Sequence, residues 1–367
     1  MMNQPYSIVR QFNLPEPPVS VHPLGAGFIN DTYIVETSKA MKYVLQRKNG
    51  NIFQNIPGMV DNMCKITDHI KKKAVAQGKD PARTTLTLYP ARDGKFYHQD
   101  NEGSYWVCMY YIPDTHCYNT ASSPELSFAG GAGTGLFQEQ VADFTGDLAE
   151  VLPGFHDIRH RFVYWDAALA DNRAGKVKAL AREIDWIEAR RDKMLAFKMV
   201  IENQVIPPRV SHNDTKISNI LFDHKGEALC MIDLDTLMKS SVLYDYGDAI
   251  RSYANNAAED EAQTQKVGLS LPFFKAYTQG YLSFAHRFLN QAEMEWLAFS
   301  AQYITYEQTL RFLMDYIDGN RYYKIGFPEH NLVRARAQYA LLQSMERTFP
   351  NMRAIISEIF LSLQFST

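Results

Sequence analysis

The feature that most limits the folds open to this chain is a change of hydrophobic period near Pro113. Before it, apolar and polar residues alternate in the short runs VSVHPL, DTYIVET, KYVLQR, TTLTLY and SYWVCMYYI. Runs of this kind between turn residues read as half-buried strands. One helix interrupts them: Met59, Met63, Ile66, Ile70 and Ala74 recur every three or four residues, and Gly78 supplies a stop. After Pro113 the period becomes helical over 178–202, 292–318, 331–347 and 352–364. The exception is 205–235, where NILF and ALCMI flank a turn from Asp223 to Gly226, the pattern of a hairpin. At 367 residues the chain exceeds one typical domain. The expected architecture is α+β and bilobal, with a small β-rich lobe over 1–112 and a larger, mainly helical lobe over 113–367.

Charge and cysteine usage narrow the function. Lys plus Arg number 38 against 41 Asp plus Glu, for a net charge of −3. That balance argues against a nucleic-acid-binding surface, which needs clustered positive charge. No apolar run reaches the roughly 18 residues of a membrane span, and the first residues lack a basic start followed by an apolar stretch. The expectation is a cytoplasmic enzyme with no membrane partner. Cys64, Cys108, Cys117 and Cys230 are scattered, with no Cys-x-x-Cys pair, so they read as reduced thiols and not as a metal or redox site. The glycine run SFAGGAGTGLF at 127–137 suggests a phosphate cradle, but nothing before it reads as a strand. It is expected to be a mobile surface connection.

The chemistry concentrates in 211–235. Ser211-His212-Asn213-Asp214-Thr215-Lys216-Ile217-Ser218-Asn219 contains His-x-Asp-x-x-x-x-Asn, the spacing of a kinase catalytic loop, and Asp233 follows in Ile232-Asp233-Leu234-Asp235. In phosphoryl transfer a hydroxyl loses its proton while charge spreads over the transferred group. Asp214 can accept that proton. Asn219 and Asp233 offer oxygens to Mg²⁺, a hard cation that bridges nucleotide phosphates. Lys216 can neutralise the phosphoryl group in flight. His212 reads as structural, and Asp248, in Tyr244-Asp245-Tyr246-Gly247-Asp248, either supports the loop's amides or is an exposed helix-start carboxylate. Asp235 is left open between a metal or substrate contact and a turn carboxylate.

These residues resemble the aminoglycoside phosphotransferase and choline kinase group of small-molecule kinases, whose fold is similar to protein kinases. Within it the chain most resembles the anomeric sugar kinases that act on N-acetylhexosamines. The resemblance rests on Gly-x-Gly-x-Ile-Asn-x-Thr-Tyr at 25–33, Tyr-x-Leu-Gln-Arg at 43–47, His-Asn-Asp-Thr-Lys at 212–216 and Ile-Asp-Leu-Asp-Thr at 232–236. It continues through Arg311-Phe312-Leu313 and 328–334, and so spans nearly the whole chain. It implies that ATP is the co-substrate, that Asp214 is the base, that Asn219 and Asp233 hold Mg²⁺, and that a sugar lies against Asp214, Asp233 and Arg311. Phe28 stands where those kinases carry a substrate-contacting histidine. The nucleotide is expected at Gly25, Gly27 and Asn30 of the first glycine loop and near Met109 and Tyr111 of the interlobe linker. Protein kinases place a lysine on the third strand; here 44–47 offers none and helix 59–77 has no glutamate, so either Gln46 or Arg47 takes that role. The competing functions are a kinase of amines, such as aminoglycosides or choline, and a silent binding protein. A cationic substrate calls for an acidic or aromatic pocket, whereas 301–340 mixes acidic and basic residues without an acidic cluster, which favours the neutral sugar.

Overall fold

The computed structural model describes residues 4–25, 29–203 and 205–364. The first region is built from helix α1 (Gln4–Val9), strands β1 (Pro18–Pro23), β2 (Asp31–Thr37) and β3 (Lys42–Lys48), helices α2 (Ile56–Ala76) and α3 (Pro81–Thr84), and strands β4 (Leu88–Tyr89), β5 (His98–Gln99) and β6 (Tyr105–Tyr110). The six strands form one antiparallel sheet in the order β1-β2-β3-β6-β4, with β5 also on β6. Alternation sends its side chains to two faces. Tyr43 and Leu45 of β3 and Trp106 and Cys108 of β6 join Ile8 and Val9 of α1 in one buried cluster. Val107 and Met109 point the other way, into the main core with Met59, Met63, Ile66 and Ile70 of α2. The apolar stripe read for this helix is thus the one that covers the sheet. The expected TTLTLY strand is only two residues long: a short helix capped by Asp80 at the Ala82 N–H takes its first residue, Thr84, and the strand begins at Leu88.

The second region holds α4 (Pro124–Val141), α5 (Ile158–Asp171), α6 (Ala181–Glu188), α7 (Arg191–Glu202), β7 (Arg209–Ser211), β8 (Ile220–Phe222), β9 (Ala228–Met231), β10 (Met238–Ser240), α8 (Val242–Tyr253), α9 (Leu271–Ala285), α10 (Gln291–Ile317) and α11 (His330–Gln364). The hairpin expected around Asp223 is β8–β9, and β7 pairs with β10. Three expectations change, the first being that 178–202 is not one helix but the two helices α6 and α7. The break between 347 and 352 does not occur: α11 runs through Pro350. Proline inside a helix costs about 3 kcal/mol, and here Leu341, Leu342, Met345, Met352, Ile356 and Ile359 are buried on both sides of it, at about 1.5–3 kcal/mol each.

The glycine run is the third change. It is a buried helix, α4, with Ser123 accepting the Leu126 N–H as its cap and Pro124 in the first turn. Its glycines are there for contact, since α4 lies directly on α9. A Cβ on Gly131 would stand 2.1 Å from the Tyr277 carbonyl oxygen, and one on Gly280 would stand 2.0 Å from that of Phe128. Backbone cannot yield as a side chain can. Gly280→Ala is therefore expected to lower stability by about 1–3 kcal/mol, read as an earlier midpoint in denaturant unfolding. An unchanged midpoint would mean the two helices can part without loss.

Candidate active site

The loop after β7 is held from below by α8. Asp245 accepts the His212 N–H at 3.0 Å and the Asn213 N–H at 2.6 Å, together with the Gln138 amide at 2.9 Å. Burial pushes the Asp245 carboxyl up, against the pull of His212 and these donors. One helical turn on, Asp248 accepts the Thr215 N–H at 3.0 Å and is paired with Arg251 at 2.8 Å. Asp248 thus takes the supporting position and is buried. Asp245, which shares its helix face at i,i+3, carries more of the loop. His212 receives the Asp214 N–H on Nδ1 and donates from Nε2 to the Ile232 carbonyl at 2.9 Å, tying the loop to the segment that carries Asp233.

Asp214, Lys216 and Asn219 come together. The Asp214 Oδ2 accepts from Lys216 Nζ at 2.9 Å and from Asn219 Nδ2 at 2.9 Å, with the two charged side chains 25% and 34% accessible. Burial works against ionisation of Asp214, but the Lys216 charge prevails and holds the carboxyl below its usual range. It is an ionised, partly accessible carboxylate. Because the Asn219 amide nitrogen is spent on the Asp214 side chain and carbonyl, its oxygen is the atom left for a cation. Asp233 sits in the left-handed region, φ 58°, a conformation that non-glycine residues adopt at a cost and often at functional sites. Burial first, then the charges of Asp235 and Asp214, push its carboxyl up to about 6. The site is short of positive charge, which is the environment a divalent cation fits. Among the described residues no three His, Cys, Asp or Glu side chains could cage a metal alone. Mg²⁺ usually takes one or two protein oxygens plus phosphates and water, so this donor set suits it.

The sheet contributes a residue the sequence reading passed over. Strand β3 continues to Lys48, whose buried Nζ lies 2.6 Å from Asp235 Oδ1 and 2.7 Å from the Gln46 side-chain oxygen. Asn30 donates to the other Asp235 oxygen at 2.7 Å. Asp235 thus joins the strand to the segment after Asp233, where a protein kinase uses a helix glutamate; Asn62 of α2 instead donates to the Ala149 and Leu237 carbonyls. Carrying the period of two one step past Gln46 would have found Lys48. Arg47 faces the other side of the sheet, pairing with Asp31 over the Trp106 ring. Met109 is buried on β6, and the Tyr111 N–H donates to the Lys42 carbonyl. Gly25 has φ 68°. Gly27 and Phe28 lie outside the described residues.

Arg311, on α10, is boxed by rings: Phe155, Tyr322 and Tyr323 lie 5.7, 5.8 and 5.5 Å from its guanidinium carbon. It donates a hydrogen bond to Gln308 at 3.2 Å. It forms no ion pair among the described residues, because the nearby Glu307 carboxylate is taken by His156 and Arg161. The loop carrying the two tyrosines is fixed by buried Asp315, which accepts the N–H groups of Arg321, Tyr322 and Tyr323.

Known proteins share this fold. The model of the phosphotransferase enzyme family matches residues 20–289. Among solved structures, a microcompartment-associated aminopropanol kinase is 17% identical, with 95% of this chain and 97% of that chain covered and a TM-score of 0.60. An aminoglycoside phosphotransferase from Alicyclobacillus acidocaldarius is 13% identical, with 100% and 98% covered and a TM-score of 0.58. An ethanolamine kinase from Plasmodium vivax is 14% identical, with 87% and 82% covered and a TM-score of 0.53. Identities this low establish likeness of fold, which is the kinase-like fold expected of the sequence.

Proposed function

The chain belongs to the phosphotransferase enzyme family, and from that premise we propose that it is an ATP- and Mg²⁺-dependent kinase acting on the anomeric hydroxyl of an N-acetylhexosamine or related neutral sugar. The products would be the sugar 1-phosphate and ADP. In this reading ATP lies between the sheet of 1–112 and the helices of 113–367, with its phosphates near Lys48, the first glycine loop and Asn30. Asn219 and Asp233 hold the metal, which when bound neutralises charge on the phosphates. Asp214 takes the proton of the attacking hydroxyl as its oxygen forms a bond to the γ-phosphorus and the bond to ADP breaks. Lys216 keeps Asp214 ionised and offers positive charge to the group in transit.

The observation that carries the sugar reading is Arg311. A half-buried guanidinium with spare donors and aromatic walls suits a ligand with neutral oxygen acceptors, and it repels an ammonium. The amine alternative is favoured by the aminopropanol and ethanolamine named for proteins of like fold, but here the rings that could receive an ammonium already face a cation. The third possibility, a silent binding protein, loses its main support now that Lys48 stands on the strand.

Incubation with ATP and Mg²⁺ against free sugars, amino alcohols and aminoglycosides tests all three. Phosphate transfer to N-acetylhexosamines, with a product lacking a reducing end, is the expected result. Transfer to amines alone would overturn the sugar reading, and no transfer to any acceptor would overturn the kinase reading.

A further inference from the structure

We propose that His156 is a positioning residue for phosphoryl transfer, fixing through the Asn213 carbonyl the peptide plane from which Asp214 presents its carboxylate. The proposal rests on the reading of Asp214 as the base. His156 is 58 residues away from Asp214 in sequence and belongs to no motif, yet it lies buried under the loop.

Its two ring nitrogens each face an oxygen acceptor. Nδ1 is 2.7 Å from Glu307 Oε2, and Nε2 is 3.2 Å from the Asn213 carbonyl oxygen. A carbonyl oxygen only accepts, so Nε2 must donate to Asn213. Glu307 holds the other side of the ring: burial opposes its ionisation, but His156, Arg161 and Arg311 outweigh it and hold the carboxyl well below its usual range. The backbone of His156 is fixed as well, since the Tyr303 hydroxyl donates to its carbonyl at 2.8 Å. The Tyr244 ring packs 5.2 Å away. Glu307, Arg161, Arg311, Tyr244 and Tyr303 are thus the charged and titratable groups around it.

The reason to hold this carbonyl lies in Asn213. Its φ of 64° places a non-glycine residue in the left-handed region, so its conformation persists only if the surroundings impose it. Asp245 fixes its N–H, and the Ser211 and Thr236 carbonyls fix its side chain. None of these contacts holds the next peptide. That peptide is planar, with the Asn213 oxygen on one edge and the Asp214 N–H on the other. His156 grips the first edge and His212 Nδ1 the second. Without His156 the plane can tilt, and with it the Asp214 side chain.

Two variants separate this role from simple packing. In His156→Gln the amide nitrogen can take the place of Nε2 and donate to Asn213; in His156→Asn it takes the place of Nδ1 and reaches only Glu307. Asn is also the better tolerated at positive φ, and His156 has φ 59°, so a purely structural role would favour it. On an acceptor that the wild type phosphorylates, well below both unfolding midpoints, His156→Asn is expected to lower kcat about tenfold or more, with KM for ATP and acceptor little changed. His156→Gln should recover most of that loss. Equal losses, better recovery by Asn, or an effect confined to KM would overturn the proposal. Nitrogen NMR of histidine-labelled wild type supplies a readout independent of turnover. The Nε2 nitrogen of His156, identified by the signals missing in His156→Gln, should carry a proton. An Nε2 without a proton would overturn the positioning role even in an active kinase, whereas a wild type inactive on every acceptor with that proton present would fault the reading of Asp214 instead.

Discussion

Replacing Asp214 by Asn is expected to lower kcat by about 10² to 10⁴-fold, the usual effect of removing a general base, while ATP and acceptor still bind. Asparagine is the informative change. Its side-chain oxygen can still accept from Lys216 and Asn219, which now share one Asp214 oxygen, so the loop keeps its shape and only proton acceptance is lost. Alanine would leave the buried side of Lys216 unpaired and mix the two effects. Steady-state kinetics with each substrate saturating in turn gives the split. Turnover within a few-fold of wild type would contradict the base assignment. The pH profile adds a sign. Asp214 is held below the usual carboxylate range, so activity limited by its ionisation should persist through mildly acidic pH and fall only as the solution becomes strongly acidic.

Local pattern carried much of this molecule. The hairpin β8–β9, the sheet strands β1, β2, β3 and β6 and the stripe of α2 were legible because each depends on neighbours within a few residues. So were Asp214, Lys216 and Asn219, which a short loop brings together whatever surrounds it. The losses are long-range. The glycines of 127–137 read as flexible because glycine carries no apolar signal, and only the approach of the Tyr277 and Phe128 carbonyls explains why nothing larger fits. Lys48 was missed by one residue of strand length. Asp235 was undecided because its two partners, Lys48 and Asn30, are 187 and 205 residues away. The ring that brings Phe155, Tyr322 and Tyr323 around Arg311 joins three separate segments, and no spacing in the chain announces it.

Asp233→Asn should produce opposite effects on turnover and on stability. Losing a carboxylate at the metal is expected to remove several kcal/mol of transition-state charge stabilisation, about 10²-fold or more in kcat. The metal-free protein should become more stable. Burial, Asp235 and Asp214 raise the Asp233 carboxyl to about 6 in the fold, against about 3.9 in an unfolded chain. Between those values the folded protein binds the extra proton, so stability contributed by protonated Asp233 is fully present below about pH 4 and is lost as pH rises through 6. At neutral pH the ionised group then weakens the fold by on the order of 3 kcal/mol, a cost that asparagine lacks. The variant should therefore unfold at higher temperature than wild type at pH 7.5 without metal, and the gap should close near pH 4. Mg²⁺ with nucleotide should narrow the same gap by stabilising the wild type more than the variant. Because a metal must displace the Asp233 proton, its apparent affinity for wild type should also weaken as pH falls through 6. Equal unfolding temperatures at pH 7.5, or a variant less stable than wild type there, would mean that Asp233 is not the strained carboxylate this site requires.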